Sequence, residues 1–119
     1  MSEKKRKAPK PGTPVRGSST GRPVMVLIEL LGRRWVLRIL WELRGETPLT
    51  FRALQEACGG VSPSVLNARL ADLRETGIAE HRDEEGYALT PMGRELLDKL
   101  MPLTDWSDRW AKALGNRQG

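Results

Sequence analysis

The chain has 119 residues, one domain's worth, with 20 Lys+Arg against 15 Asp+Glu and a formal net charge of +5. A single cysteine and a single histidine exclude an internal disulfide and a Cys/His zinc site, and no apolar run reaches the ~18–20 residues that cross a bilayer. The basic N-terminus has no apolar segment behind it, which excludes a secretory signal, so the chain reads as soluble and cytoplasmic.

The charge is unevenly spread. Residues 1–22, "MSEKKRKAPKPGTPVRGSSTGR", hold seven Lys/Arg against one Glu, and the remainder holds 13 Lys/Arg against 14 Asp/Glu. The domain itself is therefore near neutral, and the first 22 residues supply the basicity. Rich in Lys, Pro, Gly and Ser, they cannot bury enough apolar surface to offset their ordering entropy, so they are expected to form a disordered tail. Such a tail is either a solvated extension or a flexible basic arm that adds phosphate contacts.

At Pro23 the character changes. "PVMVLIELLG" opens with a proline suited to the first helical turn and ends on a glycine suited to the C-terminus. All of 24–31 is apolar except Glu29, so the helix should be covered on every side, and a second subunit is the natural cover for the side away from the core. "RRWVLRILWELRG" follows, with Val36, Ile39, Leu40 and Leu43 at i, i+3, i+4, i+7 making one core stripe, and Arg34, Arg38 and Glu42 on the other side. "ETPLT" reads as a short extended link, and "FRALQEAC" as a brief helix with Phe51 and Leu54 inward.

In "GGVSPSVLNARLADLRETG", Ser62 is an N-cap with Pro63 at the first helical position, and Gly77 is a stop. "IAEHRDEEGYALT" is a hairpin, with strands around 78–82 and 87–89 and a polar turn at 83–86. Thr90 and Pro91 start a long last helix. There Leu96, Leu100, Leu103, Trp106, Trp110 and Leu114 hold a roughly heptad spacing, Pro102 interrupts, and residues 116–119 should fray. The fold expected is mainly α with a small β-hairpin, a winged helix-turn-helix over residues 23–115 flanked by N- and C-terminal dimerisation helices.

The segments "LIELLGRRWVLRILWEL", "SPSVLNARLADLRETGIAE" and "YALTPMGRELL" resemble, in order and separation, the signatures of HxlR-type bacterial transcriptional regulators, relatives of the MarR group. The resemblance spans roughly residues 22–110 and implies a homodimeric winged-helix protein that binds double-stranded DNA at a near-palindromic operator. Family members often carry a cysteine before the proline of the first helix, a redox sensor in some; Arg22 stands there in this chain. The wing is shorter than the family's usual one, and its tip, Asp83-Glu84-Glu85-Gly86, repels phosphate, which leaves Arg82 at its base as the expected contact.

On a helical wheel Leu70 and Leu73 fall within about 40° of Leu66. Ser64, Ala68, Ala71 and Glu75 lie opposite, with Asn67 on the flank. Small residues let the backbone approach a groove floor, Asn67 can pair bidentately with adenine, and Ser64 can bond a base or a phosphate. The helix N-terminus at Ser62 offers amides to a phosphate, and Arg34, Arg52, Arg69 and Arg74 are further phosphate contacts. The expected subunit interface comprises Val24, Met25, Ile28, Leu103, Trp106 and Trp110.

His81 reads as a surface or packing residue, Cys58 as a small apolar filler, and Asp98, Asp105 and Asp108 as a solvated helix face. No carboxylate pair, phosphate loop or Ser/His/Asp set is arranged for catalysis, so neither an enzyme nor a cofactor or metal is expected. The competing reading is a winged-helix module that binds a protein partner, which the near-neutral domain and acidic wing tip both favour.

Overall fold

The computed structural model describes residues 8–118. Six helices and one hairpin follow in order: α1 (Pro23–Leu31), α2 (Val36–Glu42), α3 (Phe51–Cys58), α4 (Pro63–Glu75), β1 (Ala79–Arg82), β2 (Gly86–Leu89), α5 (Pro91–Leu100) and α6 (Pro102–Gln118). This is the winged helix-turn-helix order expected from the sequence.

Local chemistry explains most boundaries. Thr50, Ser62 and Thr90 each accept a bond from the backbone N–H three residues on, capping α3, α4 and α5. Gly59, at φ +69°, ends α3 in the left-handed conformation that glycine adopts without strain. Trp35 precedes α2 at φ +77°, a costly conformation for a residue with a Cβ. Its ring packs against the hydrophobic core, which holds it there.

The hairpin is antiparallel, with Ala79 opposite Leu89, His81 opposite Tyr87 and Arg82 opposite Gly86. The extended link before α3 joins it, since Leu49 N donates to Tyr87 O (2.9 Å) and Tyr87 N to Leu49 O (2.7 Å). A Cβ on Gly86 would overlap the Leu49 carbonyl, so this third pairing requires glycine.

Every residue of the Val36, Ile39, Leu40, Leu43 stripe is buried, as are Leu54, Leu66, Leu70 and Leu73. Helix α1 buries only Val26 and Leu30 within the chain. Two arginines tie distant segments at helix C-termini, where cations are favoured. Arg94 on α5 donates to the carbonyls of Arg44 (2.7 Å) and Gly45 (2.5 Å), just past α2. Arg38 on α2 donates to the carbonyl of Ala57 at the end of α3 (2.8 Å) and pairs with Glu42.

Three boundaries differ from the sequence expectation. The single kinked C-terminal helix is two helices separated at Met101, because Pro102 has no N–H to continue α5 and serves instead as the first residue of α6. Helix α6 runs to Gln118 instead of fraying after 115, a glycine such as Gly115 inside a helix costing only about 1 kcal/mol. Residues 1–7 of the expected disordered tail lie outside the described residues. Residues 8–22 carry defined turns instead of disorder: Gly12 N donates to Gly21 O (3.0 Å) and Val15 pairs with Ser18. Gly12, Gly17 and Gly21, all at positive φ, supply the reversals, and Ala8 and Pro9 are buried.

Candidate nucleic-acid interface

Helix α4 separates two kinds of residue cleanly. Leu66, Leu70 and Leu73 are fully buried, whereas Ser64, Asn67, Ala68, Ala71 and Glu75 are exposed or partly exposed. The outward face of its first two turns is therefore small and uncharged. Ser62 Oγ accepts from Val65 N (3.2 Å) and lies 3.4 Å from Ser64 Oγ. Its acceptor capacity thus serves the helix start, while its hydroxyl hydrogen and the first-turn amides can still donate outward.

The five arginines expected to touch phosphate occupy different settings. Arg52 on α3 is largely exposed and makes a loose pair with Glu56 at 3.7 Å, worth no more than about 0.5 kcal/mol and easily exchanged for a phosphate. Arg74 is exposed beside a groove of about 480 Å³ between α4 and β1, where Glu75, Glu80 and His81 also lie. Arg82 bonds Glu80 at 2.8 Å, and its position at the wing base is exposed. Arg34 is exposed in the turn between α1 and α2, on a separate element from α4.

Arg69 is placed differently. Its side chain is 21% exposed and turns inward to Asp72 (3.3 Å), so it supports α4 from behind. Asp72, 5% exposed, also receives a 2.9 Å hydrogen bond from Arg33 Nη1 in the α1–α2 turn. This charged group pins α4 to the turn after α1. Arg69 and Asp72 stand three residues apart on α4, but nothing in the sequence pointed to Arg33.

The wing tip at Asp83, Glu84 and Glu85 is exposed and acidic. The His81 ring lies against Tyr87, centroids 4.6 Å apart, a packing contact across the strands.

A second exposed surface is apolar. Val24 and Ile28 on α1 and Leu103, Trp106 and Trp110 on α6 are each 50–59% exposed, and Met25 is half-buried. Residues 102–116 are exposed without interruption. On this projecting helix Trp106 and Trp110 stack at 5.6 Å, making an aromatic ridge in line with Leu103 and Leu114. Cys58 is buried among core residues, and burial pushes its thiol above the ordinary range; Arg38 pulls it down and Glu42 raises it. That disfavours the thiolate and suits a packing residue. Among the described residues no cluster of His, Cys, Asp or Glu has the makings of a metal site, and no helix is long and apolar enough to cross a membrane.

A family model described as HxlR-like helix-turn-helix matches residues 30–114. The HTH-type transcriptional regulator YdzF of Bacillus subtilis is 30% identical over 96 residues, 78% of this chain and 87% of that protein. Among solved structures, a possible HxlR family transcriptional factor from Thermoplasma volcanium aligns with a TM-score of 0.66 at 29% identity, over 76% of this chain and 85% of that one. The quinone-bound YodB of B. subtilis aligns with the same TM-score at 30% identity, over 73% of this chain and 97% of its own.

Proposed function

Since this chain belongs to the HxlR-like helix-turn-helix family of transcriptional regulators, we propose that it binds a near-palindromic DNA operator as a homodimer, with α4 of each subunit in the major groove. The observation that carries this reading is the face of α4: Ser64, Asn67 and Ala68 stand exposed over a fully buried leucine stripe, directly after α3 and its glycine turn. That face is small enough to approach base edges and carries an amide able to read adenine. The two reading helices then engage half-sites about 34–36 Å apart.

Affinity comes from elsewhere, because the reading face holds no cation in its N-terminal half. Ser62 and the first-turn amides hold one phosphate, and Arg34, Arg52, Arg74 and Arg82 neutralise others; Arg69 acts by positioning α4. The basic residues among 1–22 supply further phosphate contacts beside the helix-turn-helix. Replacing Asn67 with alanine is expected to cost about 1–3 kcal/mol on the specific site and to relax one base position, measured by gel shift against the DNA upstream of its own gene. Equal losses on specific and random DNA would remove Asn67 from the base-reading set.

Deleting residues 1–22 should flatten the salt dependence of binding, by about 0.9 in log–log slope for each phosphate those residues neutralise. An unchanged slope would make them a passive extension. The acidic wing tip and near-neutral domain favour one other reading, a winged-helix module for a protein partner. A complete lack of salt-dependent, sequence-selective shift would decide for it.

A further inference from the structure

We propose that the groove between α4 and β1 takes a phosphate of the DNA backbone, and that His81 makes this contact proton-dependent by adding a cation to the groove when protonated. The site rests on the DNA-binding reading above. The groove, of about 480 Å³, is lined by Ala71, Arg74 and Glu75 of α4 and by Ala79, Glu80 and His81 of β1.

Its position follows from the turn of the helix. Ala71 and Glu75 belong to the outward face of α4 and also line the groove, so the two surfaces are continuous. Arg74 comes seven residues after Asn67, about two turns, and stands on the same flank of the helix. The wing therefore lies along the Asn67 flank, and Arg69, which turns to Asp72, lies on the other. The backbone strand beside the base that Asn67 reads enters the groove.

His81 shares its sheet face with Ala79 and with Tyr87, whose ring lies 4.6 Å from its own, while Glu80 and Arg82 alternate to the other face and bond each other at 2.8 Å. The charged and titratable groups around His81 are thus Arg74 and Glu75 from α4, Glu80 with Arg82 from β1, and Tyr87 from β2. Beyond Arg82 follow the exposed carboxylates of the turn, Asp83, Glu84 and Glu85. Arg74 offsets Glu75, and Arg82 offsets Glu80. The protonation of His81 therefore decides whether the groove carries a net positive charge. Histidine changes charge between pH 5 and 8, and His81 is the chain's single histidine. A phosphate favours the protonated form, so DNA binding takes up a proton and strengthens as pH falls.

Fluorescence anisotropy tests the site, using the full chain with labelled DNA from upstream of its own gene and with a random duplex of equal length. Both are titrated at pH 6 and pH 8 at fixed ionic strength. Affinity for both duplexes is expected to be about tenfold higher at pH 6 for each subunit engaged, the worth of one charge-assisted hydrogen bond, because a phosphate contact carries no sequence preference. The log–log salt slope should be steeper at pH 6 by about 0.9 per subunit. His81→Gln should bind equally at both pH values, near the wild-type affinity at pH 8. In the wild-type protein, the ring resonance of the single histidine should titrate with a higher midpoint in the DNA complex than in the free chain, a readout independent of any substitution. Equal wild-type affinity at the two pH values, an unmoved midpoint, or a pH dependence that persists in His81→Gln overturns the proton-dependent site. Absence of binding to either duplex at both pH values overturns the DNA-binding reading, and the site with it.

Discussion

Replacing Trp106 and Trp110 together with aspartate is expected to turn the proposed homodimer into a monomer. Buried aromatic anchors at interface centres are each worth about 2–4 kcal/mol, so the pair accounts for at least ~4 kcal/mol, near a thousandfold in dissociation constant. The two rings stack 5.6 Å apart on a helix whose residues 102–116 all face solvent in the single chain. Because no described residue of the chain covers them, their loss should leave the monomer's fold and circular dichroism intact. Sedimentation velocity checks the outcome, and a dimer that persists in the variant at low micromolar concentration overturns the assignment. Loss of the dimer should also cut operator affinity steeply, since one subunit then meets only one half-site.

Asp72→Ala is expected to lower unfolding stability by roughly 3 kcal/mol, because it removes the buried carboxylate that Arg33 and Arg69 share behind α4. The lower end of the range for a broken buried pair applies, since the Arg33 and Arg69 side chains keep 12% and 21% of their surface in water. For a domain of this size that is a fall in melting temperature of about 10 °C or more, read by thermal denaturation. A double-mutant cycle with Arg33→Ala should show strong coupling, whereas the exposed Arg52 and Glu56 pair should show almost none. A loss below about 1 kcal/mol would mean that Asp72 takes up water and does not anchor the helix. DNA affinity should fall in the same variant at temperatures where it remains folded, because the tilt of α4 is then less well held.

Much of the architecture was legible because it is local. The leucine stripe of α4, the caps at Ser62 and Thr90 and the hairpin around its polar turn follow from periodicities and capping rules that act over a few residues. The break at Met101 was half visible: Pro102 marked an interruption, and the missing N–H made it a full division between α5 and α6. The composition of residues 8–22 pointed to disorder, yet turns closed by three glycines and two buried small residues hold them against the domain.

The charges behaved otherwise. On a wheel Arg69 looks like a flanking phosphate contact, but Asp72 three residues on draws it inward. Arg33 and Asp72 are 39 residues apart, and Arg94 and the Arg44 carbonyl 50 apart, so no pattern along the chain could pair them. A guanidinium on a long side chain can reach several partners, and its choice depends on which backbone segments the folded core brings within about 3 Å. The sequence by itself determined the elements, the buried stripes and the small, uncharged outward face of α4, because these depend on residue type and spacing within one element. Only the tertiary structure decided which arginines face outward and which support α4, because those depend on contacts between segments far apart in the chain.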